Sequence, residues 1–307
     1  MRILITGGAG YIGTELAYQL ALLDSIESIV VYDNLSRKNY NLFLMEQHLP
    51  AGKIRFESAD ILDSYKLNKA VANADVIFHL AAKVTTPFAN EDPHVFEQVN
   101  HWGTAELSYA IENNPISKVF YLSSMSVYGA SEEPVTVETE PMPNTYYGIS
   151  KLNGEKMLER LYEKTNMLIL RSGNVYGYSR SMRFDAVINK FMFGAHFQNF
   201  IQIEGNGAQK RPFIHIDYIV KALVQLLEVD IPSGTYNLFD RNLSVMEVVQ
   251  VMRNLYPALE SLHTLKDLSL RSLTAAPDEV IDKNLYIPSQ DLATQLGDFR
   301  QKFSFLP

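Results

Sequence analysis

Apolar and polar positions along the first half of the chain switch repeatedly between two periods. Short apolar, β-branched runs at residues 2–6, 29–32, 75–80, 118–123 and 167–171 have the length and composition of buried strands, and residues 53–57 add a weaker one. Between them, residues 16–23, 64–72, 95–113 and 147–164 carry helical spacing, and Pro115 stops the third of these. Strand–helix–strand alternation predicts a doubly wound α/β fold, a parallel sheet with helices on both faces. Beyond Tyr178 the pattern weakens. One helix amid irregular segments reaches Gln209, residues 217–228 read as another, and after Asp240 helices dominate with few strand signals. There is neither an internal repeat nor a low-complexity linker. The second half therefore predicts a smaller lobe interleaved with the first.

Composition narrows the chemistry. A chain of 307 residues with 47% hydrophobic and 20% charged residues can bury a full core without staples. It has no cysteine, which excludes disulfides, thiolate nucleophiles and cysteine-ligated metals, and its seven histidines lack metal-type spacing. A net charge of −8 argues against a broad nucleic-acid surface while leaving room for a small basic phosphate pocket. No apolar run has membrane-span length, and the N-terminus enters a glycine turn without a leader pattern, so a cytoplasmic protein is expected.

Gly7, Gly8, Gly10 and Gly13 lie between the first strand and the first helix, in TGGAGYIG. Glycine there permits a tight turn and lets backbone N–H groups approach a pyrophosphate, to which the helix N-terminus adds partial positive charge. A structural turn can use the same residues. Here the second strand ends in Asp33, 20 residues after Gly13, the offset of an acid that binds adenosine ribose hydroxyls. A carboxylate at that place repels a 2′-phosphate, so NAD is expected over NADP. Arg37 and Lys38 follow closely and read as solvated loop charges.

Tyr147 and Lys151 form Y-x-x-x-K and share one helix face. A neighbouring ammonium favours phenolate over phenol and suits a tyrosine to acid/base work on a sugar hydroxyl. The adjacent Tyr146 has Ser150 at the same offset, which supplies no charge. SSMSVYG, residues 123–129, closes a strand at the sheet edge where ligands bind, so a serine hydroxyl there can reach the reacting oxygen. His79 and His215 read as strand-end structural histidines, Lys83 as either a cofactor-facing or a loop lysine. Phe184, Phe191, Phe193, Phe197 and Phe200 read as core of the smaller lobe, with a base-binding pocket as the less favoured use.

Taken in order, these motifs resemble the extended short-chain dehydrogenase/reductases, in their NAD-dependent nucleotide-sugar epimerase/dehydratase branch. The resemblance runs to about Gly234. It rests on TGGAGYIG, on DNLS from Asp33, on Asp60-Ile61, and on His79-Leu80-Ala81-Ala82. It continues through Asn100 with Gly103-Thr104, RSGNVYG from Arg171, and FIHID from Phe213. It implies a Rossmann-type NAD-binding domain over residues 1–177 plus about 213–238, and a substrate lobe over about 178–212 and 239–307. It implies Gly7, Gly10, Tyr11, Ile12, Gly13, Asp33, Asn34, Asp60, Ile61, Leu80, Ala81, Ala82, Lys83, Asn100, Tyr147 and Lys151 as cofactor-binding. It makes Ser124, three places before Val127-Tyr128-Gly129, the catalytic serine beside Tyr147 and Lys151. Ser124, Ser126, Asn174 and Arg211 become substrate-binding, with Asn174 near the substrate phosphates. It also implies a homodimer built on helices 95–113 and 147–164, a packing that apolar residues such as Leu107, Ile111, Leu158 and Leu161 could support, though some of them must face the sheet.

The chain departs from that pattern in places. Met125 and Ser126 stand where dehydratases of the branch carry an acid. Pro212 replaces an aspartate, Tyr178 a proline, and Gly173 precedes Asn174. Arg271 is a weak match to a C-terminal arginine. Loss of the acid points to an epimerase that removes and returns hydride, with Tyr147 moving the proton. A reductase or dehydrogenase acting on a nucleotide-linked keto sugar or a small alcohol is the alternative. A non-catalytic NAD-binding protein is less favoured, because Ser124, Tyr147 and Lys151 are all present.

Overall fold

The computed structural model describes residues 1–44, 50, 52–84, 92–264 and 272–305. Arg271 lies outside them. The strands of the large sheet are β1 (Arg2–Thr6), β2 (Ser28–Asp33), β3 (Ile54–Ser58), β4 (Val76–His79), β5 (Lys118–Ser124) and β6 (Asn166–Ser172), joined at its edge by a later strand, Gly234–Leu238. Their spatial order is β3-β2-β1-β4-β5-β6 and then the late strand, all neighbours parallel. The order reverses between β1 and β4, which opens a crevice above their carboxyl ends.

Alternation along the strands builds the two layers. In β1, Ile3 and Ile5 face one side and pack with Leu16, Leu20 and Leu223, while Leu4 faces the other and packs with Leu107, Ile111, Leu158 and Leu161. The first layer holds α1 (Tyr11–Ala21). The second holds α2 (Ser64–Val71), α3 (Pro93–Phe96), a π-helical stretch Glu97–Trp102, α4 (Gly103–Glu112) and α5 (Tyr146–Glu159). The long helix read over 147–164 thus ends early, giving way to turns in which Leu161 N–H reaches back only to Leu158. Leu107, Ile111, Leu158 and Leu161 are all 2% exposed or less. They are sheet-facing core, because amphipathic helices turn their aliphatic stripe to the nearest apolar surface. The outward aromatic and aliphatic positions from the π-helical stretch through α5 include Trp102, Tyr109, Tyr146 and Ile149.

From β6 the chain turns outward. β7 (Asn174–Tyr176), β9 (Lys210–His215) and β11 (Arg241–Ser244) form a small sheet in the order β11-β9-β7, and β8 (Phe200–Glu204) pairs with β12 (Glu260–Thr264). The late strand of the large sheet is β10. Around the small sheets lie α6 (Val187–Gln198), α8 (Val245–Leu255) and α10 (Leu292–Arg300), closing over Phe191, Ile203, Phe213 and Met252. α7 (Ile216–Glu228) and α9 (Glu279–Asn284) return to the large sheet, through Leu223 and Ile281. The five strands of the small sheets gave weak sequence signals because they are short and partly exposed; β8 buries only Ile201 and Ile203. Of the phenylalanine group, Phe191 is core, whereas Phe184, Phe193 and Phe200 are exposed; Phe193 meets Phe184 edge-on and Phe197, which is partly buried, at a tilt. Among the described residues, no helix is long and apolar enough to cross a membrane.

Candidate active site

The crevice at the β1/β4 reversal collects the glycine turn. Gly7 has φ +72°, and a Cβ on it would sit 2.6 Å from the Ala81 nitrogen at the end of β4. A Cβ on Gly13 would sit 2.5 Å from the Gly7 carbonyl, so α1 can approach β1 this closely only with glycine there. Gly10 is the N-cap of α1 and offers no capping side chain. Among the described residues no acceptor meets the N–H groups of Tyr11, Ile12 and Gly13. An orphan donor set at a helix N-terminus in a crevice fits a pyrophosphate.

Asp33 ends β2 beside this turn. Its carboxylate accepts the Ala9 N–H at 3.1 Å and the Leu35 N–H at 2.8 Å. Burial raises its pKa, against those two hydrogen bonds. The Asn34 amide donates to Asp60 at 2.7 Å, and Ile61 is buried beneath them against Gly103. Leu80, Ala81 and Ala82 line the exit of β4, with the exposed Lys83 after them. Asn100 is fully buried. Its side chain accepts the Lys83 N–H at 2.7 Å and donates to the Lys83 carbonyl and to Ser150, both at 3.0 Å. Its amide thus shapes the strand exit from beneath.

His79 is sealed under the same exit. Thr104 donates to the Asn100 carbonyl, so it accepts from His79 Nε2 at 2.9 Å, leaving Nδ1 to accept from Thr6 at 2.7 Å. Burial, with the Lys151 charge adding to it, pulls this imidazole down to about 3. It is a neutral structural histidine.

α5 carries Tyr147 and Lys151, and Thr145 caps it by accepting the Gly148 N–H. Tyr147 is half-buried, edge-on to Phe96. Burial pushes its phenol above the usual value, and the Arg183 charge and a hydrogen bond with Ser124 act against that rise. Lys151 is almost fully buried, its Nζ 4.0 Å from the centre of the Tyr121 ring. Burial drags its pKa down to about 7, against the charge of Glu155 one turn on. Arg183, from the segment before α6, is a cation whose charge acts against the rise of the Tyr147 phenol. Nothing in the local sequence marks Arg183 for this.

Beneath α5, Glu155 takes the Arg171 guanidinium with both oxygens, at 2.7 Å from Nη2, and accepts from Ser123. Arg171 also donates to the Tyr128 hydroxyl at 3.0 Å, which donates to Asn237 at 2.8 Å. This buried network ties α5 to β5, β6 and β10 directly under Ser124. Sequence reading did not single out Glu155, which follows Lys151 by four residues but finds its partner across the sheet.

Ser124 accepts the Ser126 N–H at 3.2 Å. Ser124, Ser126, Asn174 and Arg211 line a single cavity with Leu273, so the four expected substrate contacts, far apart in sequence, are brought together. Among the described residues that cavity has no aspartate or glutamate in its wall. Met125 points into a small apolar cluster with Val127 and Val135.

Comparison with known proteins follows the same lines. The model of the NAD dependent epimerase/dehydratase family matches residues 3–238. The human dTDP-D-glucose 4,6-dehydratase is 28% identical over 87% of this chain and 76% of its own. A Bacillus subtilis protein described as an uncharacterized UDP-glucose epimerase, YtcB, is 29% identical over 97% of this chain and 95% of its own. The crystal structure of UDP-glucuronic acid 4-epimerase from Bacillus cereus, in complex with UDP-glucuronic acid and NAD, superposes with a TM-score of 0.86 at 25% identity, covering 98% of each chain. With the glycine turn, Asp33 and the Ser124/Tyr147/Lys151 set on one crevice, the chain belongs to the NAD-dependent epimerase/dehydratase family.

Proposed function

We propose that the chain is a nucleotide-sugar epimerase with NAD as its cofactor. The observation that carries this reading over dehydration is the cavity wall, whose polar side chains among the described residues are serines, a threonine, two asparagines and an arginine, with no carboxylic acid to help water leave. NAD, when bound, supplies a hydride acceptor able to return the hydride to either face of a sugar carbon, a redox-neutral change. The α1 N-terminus and the turn from Gly7 to Gly13 would hold its pyrophosphate, and Asp33 its adenosine ribose. Asn34, Asp60 and Ile61 would border the adenine. Leu80, Ala81, Ala82, Lys83, Asn100 and Lys151 would border the nicotinamide half.

Tyr147 takes the proton of the reacting hydroxyl at its Oη and later returns it. Ser124 orients that hydroxyl and stabilises charge as it builds on the sugar oxygen. Arg183 and Lys151 hold the phenolate form. Asn174 and Arg211 bind the substrate phosphates at the cavity. The similarity to dTDP-D-glucose 4,6-dehydratases keeps a dehydratase as the second reading. We further propose a homodimer packed through the layer of α4 and α5.

Incubation with a panel of UDP- and dTDP-hexoses, followed by NMR and mass spectrometry, separates the readings. An epimer of unchanged mass is expected. A product lighter by one water would replace the epimerase with a dehydratase, and stoichiometric NADH would point to a dehydrogenase.

A further inference from the structure

An acid at the end of the second strand disfavours a 2′-phosphate, and a basic residue close behind it can accommodate one. This chain has both, in Asp33 and Arg37. What decides between them is the company Arg37 keeps. The loop folds back within a turn of Asp33: the Ser36 N–H donates to the Asn34 side chain at 3.0 Å, and the Lys38 N–H to the Leu35 carbonyl at 2.8 Å. From that loop the Arg37 guanidinium reaches into the smaller lobe and donates to Asp185 Oδ1 at 3.2 Å. The other oxygen of Asp185 accepts from Arg183 Nε at 3.2 Å. Asp185 is only 22% exposed, and although burial pushes its carboxyl up, Arg183 and Arg37 hold it below the usual range, so it is charged at neutral pH. A second tie fixes the loop in place. The Asn41 amide donates to the Arg180 carbonyl, and Arg180 pairs with Glu15 on α1.

We propose that Asp185 is a specificity-determining residue for the cofactor: by occupying Arg37 from the opposite lobe, it withholds the cation that would otherwise receive the 2′-phosphate of NADP. Asp33 repels that phosphate from one side, and Asp185 removes its counter-charge from the other. This rests on the proposed placement of the adenosine ribose at Asp33.

Calorimetric titration with NAD and with NADP tests it on the parent, Asp33→Asn, Asp185→Asn, Arg37→Ala and the Asp185→Asn/Arg37→Ala double variant. The readout is the ratio of the two dissociation constants, NADP over NAD, which a mere loosening of the lobes leaves unchanged. Asp185→Asn is expected to lower the ratio by about fivefold, the effect of one screened ion pair, and the double variant to restore it. A ratio in Asp185→Asn equal to the parent's, or a fall that survives loss of Arg37, overturns the proposal while Asp33→Asn still lowers the ratio. If Asp33→Asn itself leaves the ratio unchanged, the ribose placement is what fails, and the proposal goes with it.

Discussion

At the residue scale Tyr147, the proposed acid/base, is a half-buried phenol whose raised pKa the Arg183 charge opposes. Tyr147→Phe removes the transferable proton and keeps the ring against Phe96. NAD binding is expected to persist while turnover falls by about 10²–10⁴-fold. Once a substrate is in hand, assays at saturating NAD check this, and near-parental activity would move the chemistry elsewhere. Lys151 carries a pH signature. Its pKa falls from 10.5 to about 7 in the folded chain, while the unfolded chain keeps the proton to about pH 10.4. Between those values the unfolded state binds more protons, so stability rises with pH; below about 7 the folded chain bears the full penalty of a buried ammonium. Cofactor-free Lys151→Met should therefore melt above the parent at pH 6, by an amount on the order of a few kcal/mol in stability. The gap should narrow as pH rises toward 10. Thermal melts across that range measure it, and a gap independent of pH would contradict the assignment.

Elements are tied beneath the site by one ion pair. Arg171 on β6 and Glu155 on α5 have side chains 6% and 0% exposed, and three hydrogen bonds join them. Glu155→Gln leaves a buried guanidinium without its counter-charge, which costs about 3–5 kcal/mol. Urea denaturation should show the midpoint shift accordingly; a loss under about 1 kcal/mol would mean that water or Tyr128 takes over the pairing. The glycine turn works at the same scale. Its spacing was legible in TGGAGYIG because each glycine answers a local demand, a positive φ at Gly7 and close helix packing at Gly13. Arg171 stood out as the start of RSGNVYG, but Glu155 did not, because 16 residues and a strand crossing separate them and no local period links them.

For the molecule as a whole, the helix layer over one sheet face leaves apolar groups outward. Trp102, Tyr109 and Ile149 are 54%, 44% and 39% exposed. Burial of such a face by a second copy would hide it from water. Light scattering at micromolar concentration is expected to give a dimer, and Trp102→Glu with Ile149→Glu to shift it to monomer with the fold intact by circular dichroism. A parental monomer would remove the dimer from the proposed function. Of the residues first expected at this interface, Leu107, Ile111 and Leu158 lie on the inner face of these helices, and Leu161, in the turns after α5, is buried in the same core. Helical spacing groups residues into faces without saying which face meets the sheet.

The sequence by itself determined the features that arise within a few residues of one another: the strand–helix alternation, the turn from Gly7 to Gly13 with Asp33 behind it, and Tyr147 and Lys151 on one turn of helix. Backbone sterics and side-chain periodicity act locally, so these leave a local record. Only the tertiary structure decided that the Arg183 charge opposes the rise of the Tyr147 phenol. It likewise decided that Arg37 is held by Asp185, and that Ser124, Asn174 and Arg211 share a wall. Those outcomes depend on where long connections carry the chain and on how much solvent each charge loses there. Desolvation is a property of the packed surroundings, and the order of residues along the chain holds no separate mark for it.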